Sequence, residues 1–123
     1  MIIIDTSVWI DYLKGSQEIT FIFNQLLQKR QVVAISVVFG ELLQGVINRR
    51  EREVVSGFWN NLPKIDETDL FIEAGNLSGK NKLFSKGVGL VDCYILSASI
   101  REDLGIWTFD KKLEGVIDNL IID

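Results

Sequence analysis

Short β-branched runs alternate with helix-length segments along this chain, and that alternation leaves few folds open. Ile2 to Ile4 reads as a strand, Val8 to Leu13 as a short helix ending near Gly15, and Ser16 to Arg30 as a second helix. Val32 to Ile35 is a second buried strand, after which Ser36 caps a helix carrying Val37, Val38, Phe39, Leu42, Leu43, Val46 and Ile47. A charged helix spans Arg50 to Asn61, and Pro63 marks the junction into a short third strand, Lys64 to Asp66. Asp69 to Lys86 is expected to be helical, although Gly75 and Gly79 weaken it, and Leu90 to Arg101 is a largely apolar helix. Ile106 to Phe109 is a fourth strand and Asn119 to Ile122 a fifth. Strands alternating with helices predict an α/β fold around a mostly parallel sheet of four or five strands, covered on both faces. At 123 residues one domain over 1–123 is expected.

Composition narrows the chemistry more than the architecture. There is no histidine, which removes His-based triads, His general bases and the usual zinc sites in one step. The lone cysteine, Cys93, forms no internal disulfide and reads as packing in an apolar helix, so a reducing cytoplasm is the expected compartment. Any metal must then be held mainly by oxygen, which favours Mg²⁺ or Mn²⁺. The longest mainly apolar stretch, Val32 to Phe39, is far short of the roughly 20 residues of a membrane span, and no signal peptide is expected. A formal net charge of −4 argues against broad nonspecific nucleic-acid binding, unless several carboxylates are neutralised in one metal site.

Four carboxylates stand where such a site would need them. The first strand stops at Asp5, followed by Thr6 and Ser7, and side chains just past a strand's carboxyl end face the ligand crevice of an open α/β sheet. Asp110 ends Ile106-Trp107-Thr108-Phe109 in the same way. Read singly, each is equally a helix N-cap. Asp92 lies in the first turn of an apolar helix, where the macrodipole returns roughly 0.3–1 kcal/mol. Burying an uncompensated carboxylate costs several kcal/mol, so Asp92 needs a cation or strong donors nearby. Glu41 shares a helix face with Gln44 and Asn48, which alone reads as a solvated face, but Gly45 one turn on leaves room for a close approach. If the four share one pocket they repel, and divalent cations let them coexist. Such sites serve metal-assisted phosphodiester hydrolysis.

Ile3-Ile4-Asp5-Thr6-Ser7-Val8-Trp9-Ile10, Glu41-Leu42-Leu43-Gln44-Gly45, Val91-Asp92-Cys93-Tyr94-Ile95-Leu96-Ser97-Ala98 and Ile106-Trp107-Thr108-Phe109-Asp110-Lys111-Lys112-Leu113 occur in one order. With these segments the chain resembles the PIN-domain endoribonucleases, specifically the VapC-type toxins of toxin–antitoxin pairs. The resemblance implies a three-layer α/β/α fold and Mg²⁺- or Mn²⁺-dependent cleavage of RNA. By motif match, Asp5, Glu41, Asp92 and Asp110 are the catalytic, metal-site acids, with Asp5 and Asp92 the foremost direct ligands. Thr6 and Thr108 occupy hydroxyl positions that orient a ligand or water, and Lys111 or Lys112 would hold a phosphate or the developing charge, with surface solvation the alternative role for at least one of them. A homodimer and a cognate VapB-type antitoxin covering the active site are implied as well. Cys93-Tyr94 departs from the smaller residues many relatives carry there, and Tyr94 either narrows the pocket or packs. Glu114-Gly115 makes the end of the last motif looser than in many members.

One alternative fits the same residues equally, and three others fit less well. A housekeeping PIN nuclease in RNA processing shares every residue named. A receiver-like signalling module normally carries an acidic pair after its first strand, and nothing like it precedes Asp11. A phosphatase with an aspartyl nucleophile wants Asp-x-Asp, and Ser7 occupies the second position. A non-catalytic RNA- or protein-binding PIN fold has no reason to keep all four acids. The basic residues fall in small clusters, Arg49, Arg50 and Arg52, then Lys80, Lys82 and Lys86, then Lys111 and Lys112.

Overall fold

The central strand of the sheet is the one that opens the chain. In the computed structural model, which describes residues 1–121 and side chains through 119, β1 (Ile2–Ile4) lies between β2 (Val32–Val33) and β3 (Gly105–Trp107), all parallel. Ile2 pairs with Val32 and Gly105, Ile3 with Val33 and Ile106, and Ile4 with Trp107. A strand paired on both edges and covered on both faces wants apolar side chains throughout, and Ile3 and Ile4 are fully buried. The connection from β1 to β2 steps one way across the sheet, and that from β2 to β3 steps back past β1. Right-handed crossovers therefore cover opposite faces and give the three-layer arrangement.

The first crossover carries α1 (Thr6–Leu13) and α2 (Gln17–Gln28); the second carries α3 (Ser36–Gly45), α4 (Arg49–Asn61), α5 (Leu70–Asn81) and α6 (Leu90–Glu102). α7 (Lys111–Ile121) follows β3. α1 packs on α2 and α3, α3 on α4 and α6, and α6 on α5, α7 and β3. Trp9 is the hub on the α1 side, with Phe23, Phe39 and Phe58 edge-on to it at 4.8, 5.2 and 5.1 Å between ring centres. Among the described residues no helix is long and apolar enough to cross a membrane.

Several expected boundaries move, each for a local reason. The described sheet has three strands, not four or five. Lys64 to Asp66 shrinks to one parallel bridge between Ala34 and Lys64, because Pro63 brings no N–H and Asp66 turns the chain by accepting from the Thr68 N–H at 2.9 Å. Asn119 to Ile121 is the end of α7 rather than a strand, continuing the helical spacing of the buried Leu113 and Val116; Ile122 lies outside the described residues. The helix expected over Asp69 to Lys86 stops at Asn81, where Lys82 turns left-handed at φ 53°, and resumes only as a 3-10 turn at Phe84–Lys86. Ser36 does not cap α3: it is the first residue of that helix, and the cap position falls on Ile35, which has no side-chain acceptor.

Candidate active site

Parallel pairing brings the carboxyl ends of β1 and β3 side by side, and the site is built on that alignment. The ladder continues one step past the strands, with the Asp5 N–H donating to the Trp107 carbonyl at 2.8 Å. Asp5 and Thr108, 103 residues apart, thereby become neighbours, and the Thr108 hydroxyl donates to Asp5 Oδ2 at 2.7 Å. The Ser7 hydroxyl donates to the same oxygen at 3.1 Å, and the Thr6 N–H donates to Oδ1 at 2.8 Å. Asp5 is 7% exposed, and these donors offset the desolvation of its carboxylate. It also occupies the N-cap position of α1, as its cap reading expects.

Thr6 turns the other way. Its hydroxyl donates to Glu41 Oε1 at 2.7 Å, linking α1 to the exposed acid of α3. α3 ends at Gly45, and Asn48 instead starts α4 by accepting from the Glu51 N–H at 2.9 Å, so Glu41 and Asn48 do not share one helix face. Asp110 caps α7, accepting from the Lys112 and Leu113 N–H groups at 2.9 and 3.1 Å, while its own N–H donates to the Thr108 hydroxyl at 3.0 Å. Thr108 thus holds both strand-end acids at once. Ser7, which has no assigned role in the motif, adds a second tie by accepting from the Phe109 N–H at 3.3 Å.

Asp92 reports on the whole group. It lies half-buried in the first turn of α6, and its carboxyl is pushed up from 3.8 to about 6. Burial is the largest cause, followed by the charges of Asp110, Asp5 and Glu41, with a Gly89 backbone hydrogen bond acting in the opposite direction. The three other acids singled out from the sequence are therefore those whose charges act on Asp92. Among the described residues no three acids already stand together at metal-ligand spacing. Like charges repel, and hydroxyl and N–H donors turn oxygens of Asp5, Glu41 and Asp110 toward protein partners.

The lysines of the last motif have partners of their own. Lys111, 90% exposed, pairs with Glu114 at 3.6 Å on the surface of α7. Lys112 lies across Gly87, where a Cβ would come within 2.9 Å of its flexible Nζ end; it is the turn, with φ +80° at this position, that favours a residue without a side chain. Beside Glu41 opens a groove of about 700 Å³ between α1, α3 and α4, floored by Leu42 and Val55. Ile10, Ile47 and Val54 line it while remaining 40%, 85% and 44% exposed, and Lys14 and Arg50 stand in its walls.

Tyr94, within the Val91 to Ala98 segment, meets a residue that no motif marked, Glu67. The Tyr94 hydroxyl donates to Glu67 at 2.6 Å, which shows that Tyr94 points toward the start of α3. Burial and this carboxylate raise its phenol above the ordinary value and keep it a donor.

The PIN domain model matches residues 2–118. The chain is 30% identical over 119 residues to Ribonuclease VapC32 of Mycobacterium tuberculosis (strain CDC 1551 / Oshkosh), across 94% of this chain and 89% of that protein. The same figures hold for Ribonuclease VapC32 of the ATCC 25618 / H37Rv strain. A parallel sheet with acids at its strand ends, matched by a family model from Ile2 onward, leads to one conclusion: this chain belongs to the PIN domain family.

Proposed function

We propose that the chain is a metal-dependent endoribonuclease of the VapC toxin type, with Asp5, Glu41, Asp92 and Asp110 as its metal-holding acids. The observation that carries this reading is the linkage of these acids: Thr108 holds Asp5 and Asp110 together, Thr6 beside Asp5 holds Glu41, and the charges of all three act on Asp92. Acids arranged to repel one another are poor structure and good cation binders. The described ion pairs, Arg49–Glu53, Arg101–Glu73 and Lys111–Glu114, involve none of the four. An all-oxygen donor set fits Mg²⁺ or Mn²⁺. Bound there, the metal supplies positive charge that acidifies a water and stabilises the developing phosphate charge.

The chain's own side chains do the positioning. Thr108 and Ser7 orient Asp5, Thr6 orients Glu41, and the first turn of α7 orients Asp110. Such outer partners fix the direction of each ligand oxygen before a cation arrives. In this reading the groove beside Glu41 takes the apolar C-terminal segment of a VapB-type antitoxin, its exposed Ile47 and Val54 being the surface covered. The protein acts in the cytoplasm as a homodimer, which sets the small basic clusters of two copies along one RNA path. A small neighbouring gene encoding a DNA-binding antitoxin separates the toxin from a housekeeping nuclease.

The test is RNA cleavage by purified protein with Mg²⁺ or Mn²⁺, with excess EDTA, and in Asp5→Asn. The expected outcome is a loss of about 100-fold or more in both the chelated and the substituted enzyme. Equal cleavage in EDTA refutes the mechanism.

A further inference from the structure

Away from the carboxylates, a polar tie joins the two helices that carry Glu41 and Asp92. The first N–H groups of a helix need acceptors, and Ile35 before α3 supplies none. Glu67, in the connection between α4 and α5, takes that place: its carboxylate accepts from the Ser36 N–H at 3.0 and 3.1 Å and from the Ser36 hydroxyl at 2.8 Å. The same Oε1 accepts the Tyr94 O–H at 2.6 Å, and the Ser36 and Tyr94 hydroxyls lie 3.3 Å apart. Tyr94 is 7% exposed and stands two residues after Asp92 in α6. Ser36 opens the helix that carries Glu41. A cap alone explains the contacts to Ser36, but not the one to Tyr94.

The connection bearing Glu67 is itself held in place. Arg101, near the far end of α6, donates to the carbonyls of Asp66 and Thr68 at 2.8 and 2.7 Å and to Glu73 at 2.9 Å. The loop is therefore fastened to Arg101 on either side of Glu67, while the Glu67 carboxylate grips Ser36 at the start of α3 and Tyr94 in α6. The charges acting on Asp92 are those of Asp110, Asp5 and Glu41, whereas the Glu67 carboxylate faces Ser36 and Tyr94. Its place is beside the acid group and not in it.

We propose that Glu67, acting through Ser36 and Tyr94, is a positioning residue that holds α3 and α6 in the register at which Glu41 and Asp92 serve one cation. The proposal rests on the metal-site reading above. Without the tie, the first turn of α3 is free to shift against α6, and the spacing of the two acids shifts with it. Metal affinity falls when such outer partners are removed, typically by about 10–100-fold.

The experiment measures Mn²⁺ binding by loss of its free EPR signal in the purified full chain, with unfolding midpoints taken in EDTA. Glu67→Ala is expected to weaken Mn²⁺ binding about 10-fold or more, and Glu67→Gln, which keeps an acceptor oxygen, to recover most of it. Tyr94→Phe, which keeps the ring and the α3 cap, is expected to weaken it about 3-fold, the effect of one hydrogen bond. Wild-type affinity in Glu67→Ala, however far its unfolding midpoint drops, assigns Glu67 to stability alone and overturns the proposal. If Glu67→Ala does not fold, Tyr94→Phe decides, and wild-type affinity there overturns it equally. Asp92→Asn separates the two readings. If it binds Mn²⁺ as the wild type does, the acid site itself is wrong and the tie falls with it. If it loses binding while Glu67→Ala keeps it, only the positioning role is refuted.

Discussion

Replacing Asp92 with asparagine should make the metal-free protein more stable while removing its response to metal. The folded state raises the Asp92 carboxyl from 3.8 to about 6, so the folded chain holds this proton more tightly than the unfolded chain does. Stability from this group is fully present below the unfolded value and is lost as pH rises through the folded one. At about 1.36 kcal/mol per pH unit the rise amounts to about 3 kcal/mol against the folded state near neutrality. Asp92 is only half-buried, and solvent screening cuts the realised penalty to about 1–2 kcal/mol. Asparagine keeps the shape and an acceptor for Gly89 but carries no charge to repel Asp110, Asp5 and Glu41.

The assay is thermal unfolding of wild type and Asp92→Asn in EDTA across the acid-to-neutral range. For a chain of this size about 1–2 kcal/mol corresponds to about 3–10 °C, with the variant melting higher near neutral pH and the two converging below about pH 4. Added Mg²⁺ or Mn²⁺ should then reverse the order, since a ligand at 100 times its dissociation constant stabilises by about 2.7 kcal/mol and the variant binds it weakly. A variant that melts lower than wild type in EDTA at neutral pH, by the same margin at every pH, refutes the repulsion argument.

Two substitutions check the supports of the site. Thr108→Val nearly conserves volume but removes the donor to Asp5 Oδ2 and the acceptor of the Asp110 N–H, so urea unfolding should show a loss of about 1–3 kcal/mol together with weaker metal binding. An unchanged urea midpoint would contradict the shared role of Thr108. Trp9→Ala empties the space between Phe23, Phe39 and Phe58 and should cost about 3–5 kcal/mol by the same measurement, a loss below about 1 kcal/mol showing that the aromatic cluster is not the hub of this core.

Much of the fold is legible one segment at a time. Ile2 to Ile4 is strand from first principles, α4 and α6 begin and end within a residue of their expected limits, and α1 ends at Leu13 as expected but starts two residues early at Thr6, because glycine, caps and apolar spacing act locally. The failures are of another kind. Lys64 to Asp66 and Asn119 to Ile121 have strand-like composition, but whether a short run becomes a strand depends on which edge is offered to it. Only the Ala34 edge met the first, and a helical stripe through Leu113 and Val116 claimed the second. The cost of burying Asp92 was visible as a need for compensation. Its actual neighbours were not, and three of them are carboxylates that raise the cost further.

Residue types and local order were settled by the chain as written: no histidine, acids at strand ends and helix starts, hydroxyls beside them. These limit the chemistry to oxygen ligation, because no other donor set is present in quantity. What tertiary structure alone decided is which of those groups meet. The β1–β3 pairing set Thr108 against Asp5 across 103 residues. The packing of α3 against α6 drew Ser36, Glu67 and Tyr94 into one hydrogen-bonded group. Covalent order carries no distance beyond a few residues, so Glu67 looks like one more loop acid until the folded chain delivers it to the start of α3.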